Sequence, residues 1–270
     1  MSLKELISRT SLKAIGLEIG LDVRIENNQL VCTPLDPDDP RYSVDFILPS
    51  MKMIEVCRAN DFDFFQPFIS TGKLTTEQMH HAAERYYLGK TKSGLPIFWM
   101  IDDMQNPLDA HIGNGTWISH LLKKRKPLLQ CWSVNHCLFG LHLLTSDIHS
   151  HTSSISPHTS SICIVEREEA AVVLSELFPE SIWMAYATVS HLEVDLFDPL
   201  QNCTVILFPC TDPCMSNYLF FDDLATKVRK RYPSIDITVS SILEDNATED
   251  QKSRNIDLLE YLQESIMNSS

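Results

Sequence analysis

From Ser161 onward the chain alternates short apolar runs with helical stripes, and this alternation restricts the fold more than any other feature. Apolar runs at 162–166, 182–187, 203–208 and 235–240 read as strands. The first three are continuous rather than alternating, as expected of strands covered on both faces. Helical spacing follows between them, at 168–177, 214–231 and 249–266. Ala170, Ala171, Leu174 and Leu177 make one stripe in the first helix. Tyr218, Phe221, Leu224, Ala225 and Val228 make one in the second, and Ile256, Leu259, Leu262 and Ile266 in the third. Repeated strand–helix units imply a mostly parallel sheet with right-handed crossovers. The predicted class is α/β.

Parallel strands gather their C-terminal ends on one edge of the sheet. Here the first strand ends on Glu166, and the third runs into Pro209-Cys210-Thr211-Asp212. Carboxylates at such an edge suit a divalent cation. Glu166 admits a ligand role and a structural role. Asp212 precedes Pro213, and Asp-Pro is also a turn and helix-start signal. Cys210 and Cys214 share this loop, but their spacing is not Cys-x-x-Cys.

The front half mixes both element types. LVCTPL and SVDFILP read as strands. Thr75 to Leu88 reads as a helix, with Thr75 and Gln78 at capping-box spacing and Met79, Ala82, Ala83 and Tyr86 on one face. YYLGKTKSGLPIFWMID reads as a hairpin turning at Lys-Ser-Gly. His111 to Gly115 reads as a turn, and Trp117 to Leu122 as a short apolar segment. Cys131, His136, Cys137 and His142 lie among Leu, Trp and Phe, where core packing is the better reading than a metal site. His149 to Ser161 is nearly all Ser, Thr and His, a linker composition that matches no zinc pattern. The predicted organisation is an α+β region over 1–145, a linker over 146–161 and an α/β domain over 162–270.

The net charge of −14 argues against broad, sequence-independent binding to nucleic acid. Two basic clusters stand against that background: Lys123, Lys124, Arg125 and Lys126, and Lys227, Arg229, Lys230 and Arg231. Each reads either as a phosphate-contacting patch or as ordinary surface charge, the second at a helix C-terminus. The N-terminal segment lacks the apolar core of a signal peptide, no run has the length of a membrane span, and the eight cysteines form no disulfide pattern. The expectation is a cytoplasmic protein with reduced thiols and no membrane partner. No nucleophile elbow, P-loop or dinucleotide fingerprint is present in the sequence.

A strand ending in Glu, a helix, and a later strand ending in an acidic turn together resemble a Toprim domain, the catalytic module of primases, topoisomerases and some nucleases. More closely, the chain resembles a Toprim-like, primase-type family of uncharacterised proteins from Bacteroides-type bacteria and their mobile elements. The segments that carry the likeness run in order: Tyr87-Leu88-Gly89 through Trp99, Cys137 through Leu144, Val165 through Val173, Ile182 through Thr188, Val205 through Cys210, and Asp257 through Leu262. The resemblance implies a primase-like front half, Mg²⁺ held by Glu166 and Asp212, and a role in DNA replication. Departures accompany it. Glu169 stands where the family has lysine, Ala187-Thr188-Val189 where it has Gly-Gly, and Cys210 where it has the first acid of the turn. With Cys32 and Cys57 alone in residues 1–70, no zinc ribbon or other zinc site is expected.

Three functions follow as expectations. The leading one is a degenerate, non-catalytic Toprim-like protein, binding or accessory, in the nucleic-acid metabolism of a mobile element. The second is an active Mg²⁺-dependent primase or nuclease using Glu166 and Asp212. The third is a protein-interaction module without nucleic-acid contact. An active site requires both carboxylates within joint reach of one cation.

Overall fold

The computed structural model describes residues 21–26, 29–34, 49–125, 136–144, 161–189 and 192–267. Two compact units emerge. One comprises 1–48 and 119–133, the other 49–118 and 134–270. In the first, β1 (Leu21–Glu26) pairs antiparallel with β2 (Gln29–Pro34), which is the strand expected at LVCTPL. All of SVDFILP but Pro49, and most of the Ser/Thr/His stretch, lie outside the described residues.

The second unit starts with α1 (Met51–Cys57), a 3₁₀ turn (Asp63–Phe65) and α2 (Gln66–Ser70). Helix α3 (Thr76–Arg85) begins at the expected capping box, with both reciprocal bonds of Thr75 and Gln78 formed. A four-stranded antiparallel sheet follows in the order β3 (Gly89–Lys90), β4 (Pro96–Ile101), β5 (Pro107–Ile112), β6 (Thr116–Trp117). Part of the stretch read as a turn at His111 is therefore strand. Strand β4 is buried on both faces. Ile97, Trp99 and Ile101 pack with Ile54 in a small core, while Phe98 and Met100 join the main core. Helix α4 (Ile118–Arg125) comes next in sequence, and from Ser119 on it belongs to the first unit.

The C-terminal part is the expected parallel sheet. Strands β7 (Ile162–Val165), β8 (Ile182–Ala185), β9 (Thr204–Leu207) and β10 (Asp236–Val239) lie in the order β10-β9-β7-β8, all parallel. Helix α5 (Glu168–Leu177) links β7 to β8, and α6 (Ser216–Arg231) links β9 to β10. A 3₁₀ segment (Val194–Leu200) precedes β9. Helix α5 carries more than a stripe: Ala170 through Leu174 are all essentially inaccessible. A helix apolar all round belongs inside a core, and this one packs on β8, α3 and the 3₁₀ turn. Its Val172, Val173 and Leu174 alone contribute about 1.5–3 kcal/mol each through burial.

One helix was expected over 249–266, and the structure divides it. After α7 (Ile242–Asn246), α8 (Glu249–Ser253) stops at Asn255, whose φ is 53°, and α9 (Leu258–Met267) restarts behind Asp257. Asp257 Oδ1 accepts from the Glu260 amide, and Glu260 Oε2 accepts from the Asp257 amide. This reciprocal cap is a helix start written inside an apolar periodicity.

The two sheets share one core. Phe139 exchanges both backbone hydrogen bonds with Ala185, which extends the β8 edge by one antiparallel bridge. Gly140 then turns with φ 86°, and a Cβ there would lie 3.0 Å from the Trp183 carbonyl oxygen. Only glycine fits that turn. Tyr86 donates to the same carbonyl at 2.8 Å.

Candidate functional site

The chain leaves β7 toward β8 on one side, then returns to build β9 and β10 on the other. The order reverses between β7 and β9, and this switch point is where open α/β sheets bind ligands. Glu166 follows β7 there, and Cys210 follows β9. The Cys210 thiol donates to Glu166 Oε2 at 2.9 Å. Tyr186, just past β8 and buried, lies within the field of the Glu166 charge. Burial first, and the Glu166 charge second, push the Cys210 thiol well above its usual range. In this contact it acts as a thiol donor to the carboxylate. Tyr186 is raised in the same way.

Asp212 is held differently. Its Oδ1 accepts from the Cys214 amide at 2.9 Å and its Oδ2 from the Asn217 amide at 2.7 Å. Burial works against its charge, but the amides of Asn217, Ser216 and Cys214 outweigh it and hold the carboxyl below the usual range. The N-cap position of α6 is Met215, whose φ is 56°, and Asp212 just before it accepts the first-turn amide of Asn217. Glu166 and Asp212 therefore share an edge while each is held by its own partners. Among the described residues, no group of three or more His, Cys, Asp or Glu side chains is placed to hold a metal ion.

Around this edge lies a set of charged groups whose partners only the fold reveals. Arg167 donates from Nε to Asp257 Oδ2 at 2.7 Å and approaches Glu260 at 3.4 Å. That bond ties the start of α5 to the start of α9. Glu168 is buried against His111, and burial raises the Glu169 carboxyl, with the Glu168 charge adding to it. No local spacing signals these contacts, because His111 and Asp257 lie far away in sequence.

The basic clusters divide. Lys123, Lys124 and Arg125 fall in α4, and Lys126 lies outside the described residues. Lys227, Arg229, Lys230 and Arg231 lie toward the C-terminus of α6, a position that favours cations. Lys227 pairs with Asp223 at 2.6 Å, Arg229 donates to the Ile237 carbonyl at 3.0 Å, and Arg231 lies 4.0 Å from Asp195. Cys131 lies outside the described residues. His142 is a buried core histidine whose Nε2 is 3.1 Å from the Arg85 carbonyl oxygen, and burial lowers its pKa to about 4.

Residues 63–211, more than half of the chain, match the family model described as Domain of unknown function (DUF6371). The chain belongs to this family. The family domain takes in both sheets as far as β9, together with Glu166 and Cys210, and its last matched residue is Thr211. No curated protein matches the chain. Among the described residues, no helix is long and apolar enough to cross a membrane.

Proposed function

We propose that this chain is a Toprim-like protein whose sheet edge no longer carries out metal-dependent phosphoryl transfer. It serves the nucleic-acid metabolism of a mobile element as a binding or accessory protein. One observation carries this reading. Glu166 accepts a hydrogen bond from the Cys210 thiol, and both oxygens of Asp212 accept hydrogen bonds from backbone amides. A Mg²⁺ ion takes oxygen lone pairs in strict octahedral geometry. A neutral thiol in place of an acid, and a carboxylate engaged in capping a helix, fit that requirement poorly. The two-acid clamp of phosphoryl-transfer sites is reduced accordingly.

Nucleic-acid contact then rests on the two basic clusters, Lys123 to Lys126 and Lys227, Arg229, Lys230 and Arg231, and the first is the one tested. A protein-interaction role draws on the outer face of α6, where Leu219 and Phe220 are exposed. One set of measurements separates these readings. Calorimetry with Mg²⁺ or Mn²⁺ is expected to show no heat, and single-stranded DNA to bind in a salt-dependent way. Changing Lys123, Lys124, Arg125 and Lys126 to Gln is expected to flatten the logarithmic salt slope by about 0.7 for each phosphate that is no longer neutralised. Saturable Mg²⁺ heat that disappears in Glu166→Gln overturns the loss of the metal site. Absence of any DNA shift overturns the nucleic-acid role and leaves the interaction module.

A further inference from the structure

Helix α5 carries a carboxylate into the core at each end. Glu168 is 3% exposed and Glu176 is 9% exposed. Each meets a histidine from the N-terminal half of the unit. His111 Nδ1 lies 2.7 Å from Glu168 Oε1, and His81 Nδ1 lies 2.7 Å from Glu176 Oε1. The first pair is the enclosed one, since the His111 side chain is 13% exposed and that of His81 is 66% exposed. An exposed pair contributes little, whereas an enclosed pair is screened much less.

We propose that the His111–Glu168 contact is a protonation-dependent latch that docks the antiparallel sheet onto the first turn of α5. It thereby fixes the edge formed by Glu166 and Arg167, the two residues immediately before that turn.

Strand geometry sets up the latch. Side chains alternate along a strand. In register, His111 lies opposite Phe98 and Asp109 opposite Met100, so both polar residues share the face that β4 turns toward the main core. The charged groups around His111 are carboxylates: Glu168 and Glu169 from α5 and Asp109 from its own strand. Trp117 of β6 lies against the ring with centroids 5.0 Å apart, and His136 packs edge-on to that indole at 5.2 Å. The neighbouring cation, Arg167, is bound to Asp257 and Glu260. Burial disfavours a charged ring, but the Glu168 carboxylate outweighs it, and the pKa of His111 stands above the ordinary 6.5.

The direction of the pH effect follows. A histidine with a raised folded-state pKa stabilises the fold fully below its unfolded value, and that stabilisation is lost as pH rises through the folded value. Above that point Glu168, Glu169 and Asp109 face a neutral ring, and their mutual repulsion is no longer offset. The first turn of α5 then loosens from β5.

The test is urea unfolding of the full chain across about pH 5.5 to 8.5, a range that brackets an ordinary histidine. Wild type, His111→Gln and Glu168→Gln are compared. The wild-type midpoint is expected to fall relative to both variants as pH rises; parallel curves overturn the latch. A second measurement follows the ring itself. The His111 imidazole, told apart from His136 by the loss of its NMR signal in His111→Gln, is expected to titrate above pH 6.5. A midpoint at or below that value overturns the proposal.

Discussion

Ala187 holds a left-handed backbone, φ 61°, in the turn after β8, while its amide donates to the Glu166 carbonyl. The resembled family has glycine here, and the substitution was visible in the sequence. That the backbone keeps the glycine conformation was not visible. A left-handed alanine costs about 1–2 kcal/mol, and the greater unfolded-state freedom of glycine offsets about 0.5–1 of that. Ala187→Gly is therefore expected to stabilise the protein by about 0.5–1 kcal/mol in urea unfolding. A loss instead would show that the Ala187 methyl, which packs on the core, outweighs the strain. Cys210 teaches the same lesson. The sequence marked it as a missing acid, but only the fold shows its thiol donating to Glu166.

Among the elements, strand and helix periods were legible wherever burial was regular. Helix α5 matches its expected span of 168–177, and each strand of the parallel sheet lies within an expected run. Two of the helix bounds were misread where a polar side chain overrides the period. Asp257 restarts a helix inside an apolar stripe, and Asp212 with the left-handed Met215 delays α6 to Ser216. Asp212→Ala is expected to cost about 1 kcal/mol, the usual worth of an N-terminal cap, while Asp212→Asn retains most of it. Chemical denaturation near neutral pH measures both. Wild type should also lose this contribution as pH falls below the ordinary carboxylate value of 3.8, because the folded pKa is lowered. The Asn variant should not show that loss.

At the scale of the whole molecule, the matched family domain takes in the four-stranded antiparallel sheet and the parallel sheet as far as β9, and one core joins them. The expected boundary at 145 to 162 separates two sheet types within a single compact unit. Phe139 is the joint. It is inaccessible, stacks 5.2 Å from Tyr86, meets Phe98 edge-on at 5.7 Å and bridges to Ala185. Phe139→Ala is expected to cost about 3–5 kcal/mol, a large part of a typical total stability of about 5–15. Thermal unfolding should show both sheets melting together at a lower temperature. Two separated transitions would mean that the layers fold independently.

The sequence by itself determined the α/β class, the parallel strands and the residues that face inward, because these follow from periodicities a few residues long. Tertiary structure decided which polar groups meet. Cys210 with Glu166, His111 with Glu168, Arg167 with Asp257 and His81 with Glu176 are separated by 44, 57, 90 and 95 residues. Such contacts leave no local pattern, since a hydrogen bond depends on where the fold brings two side chains and not on their distance along the chain. The switch point between β7 and β9 belongs with them, because strand order is a property of the sheet and not of any one strand.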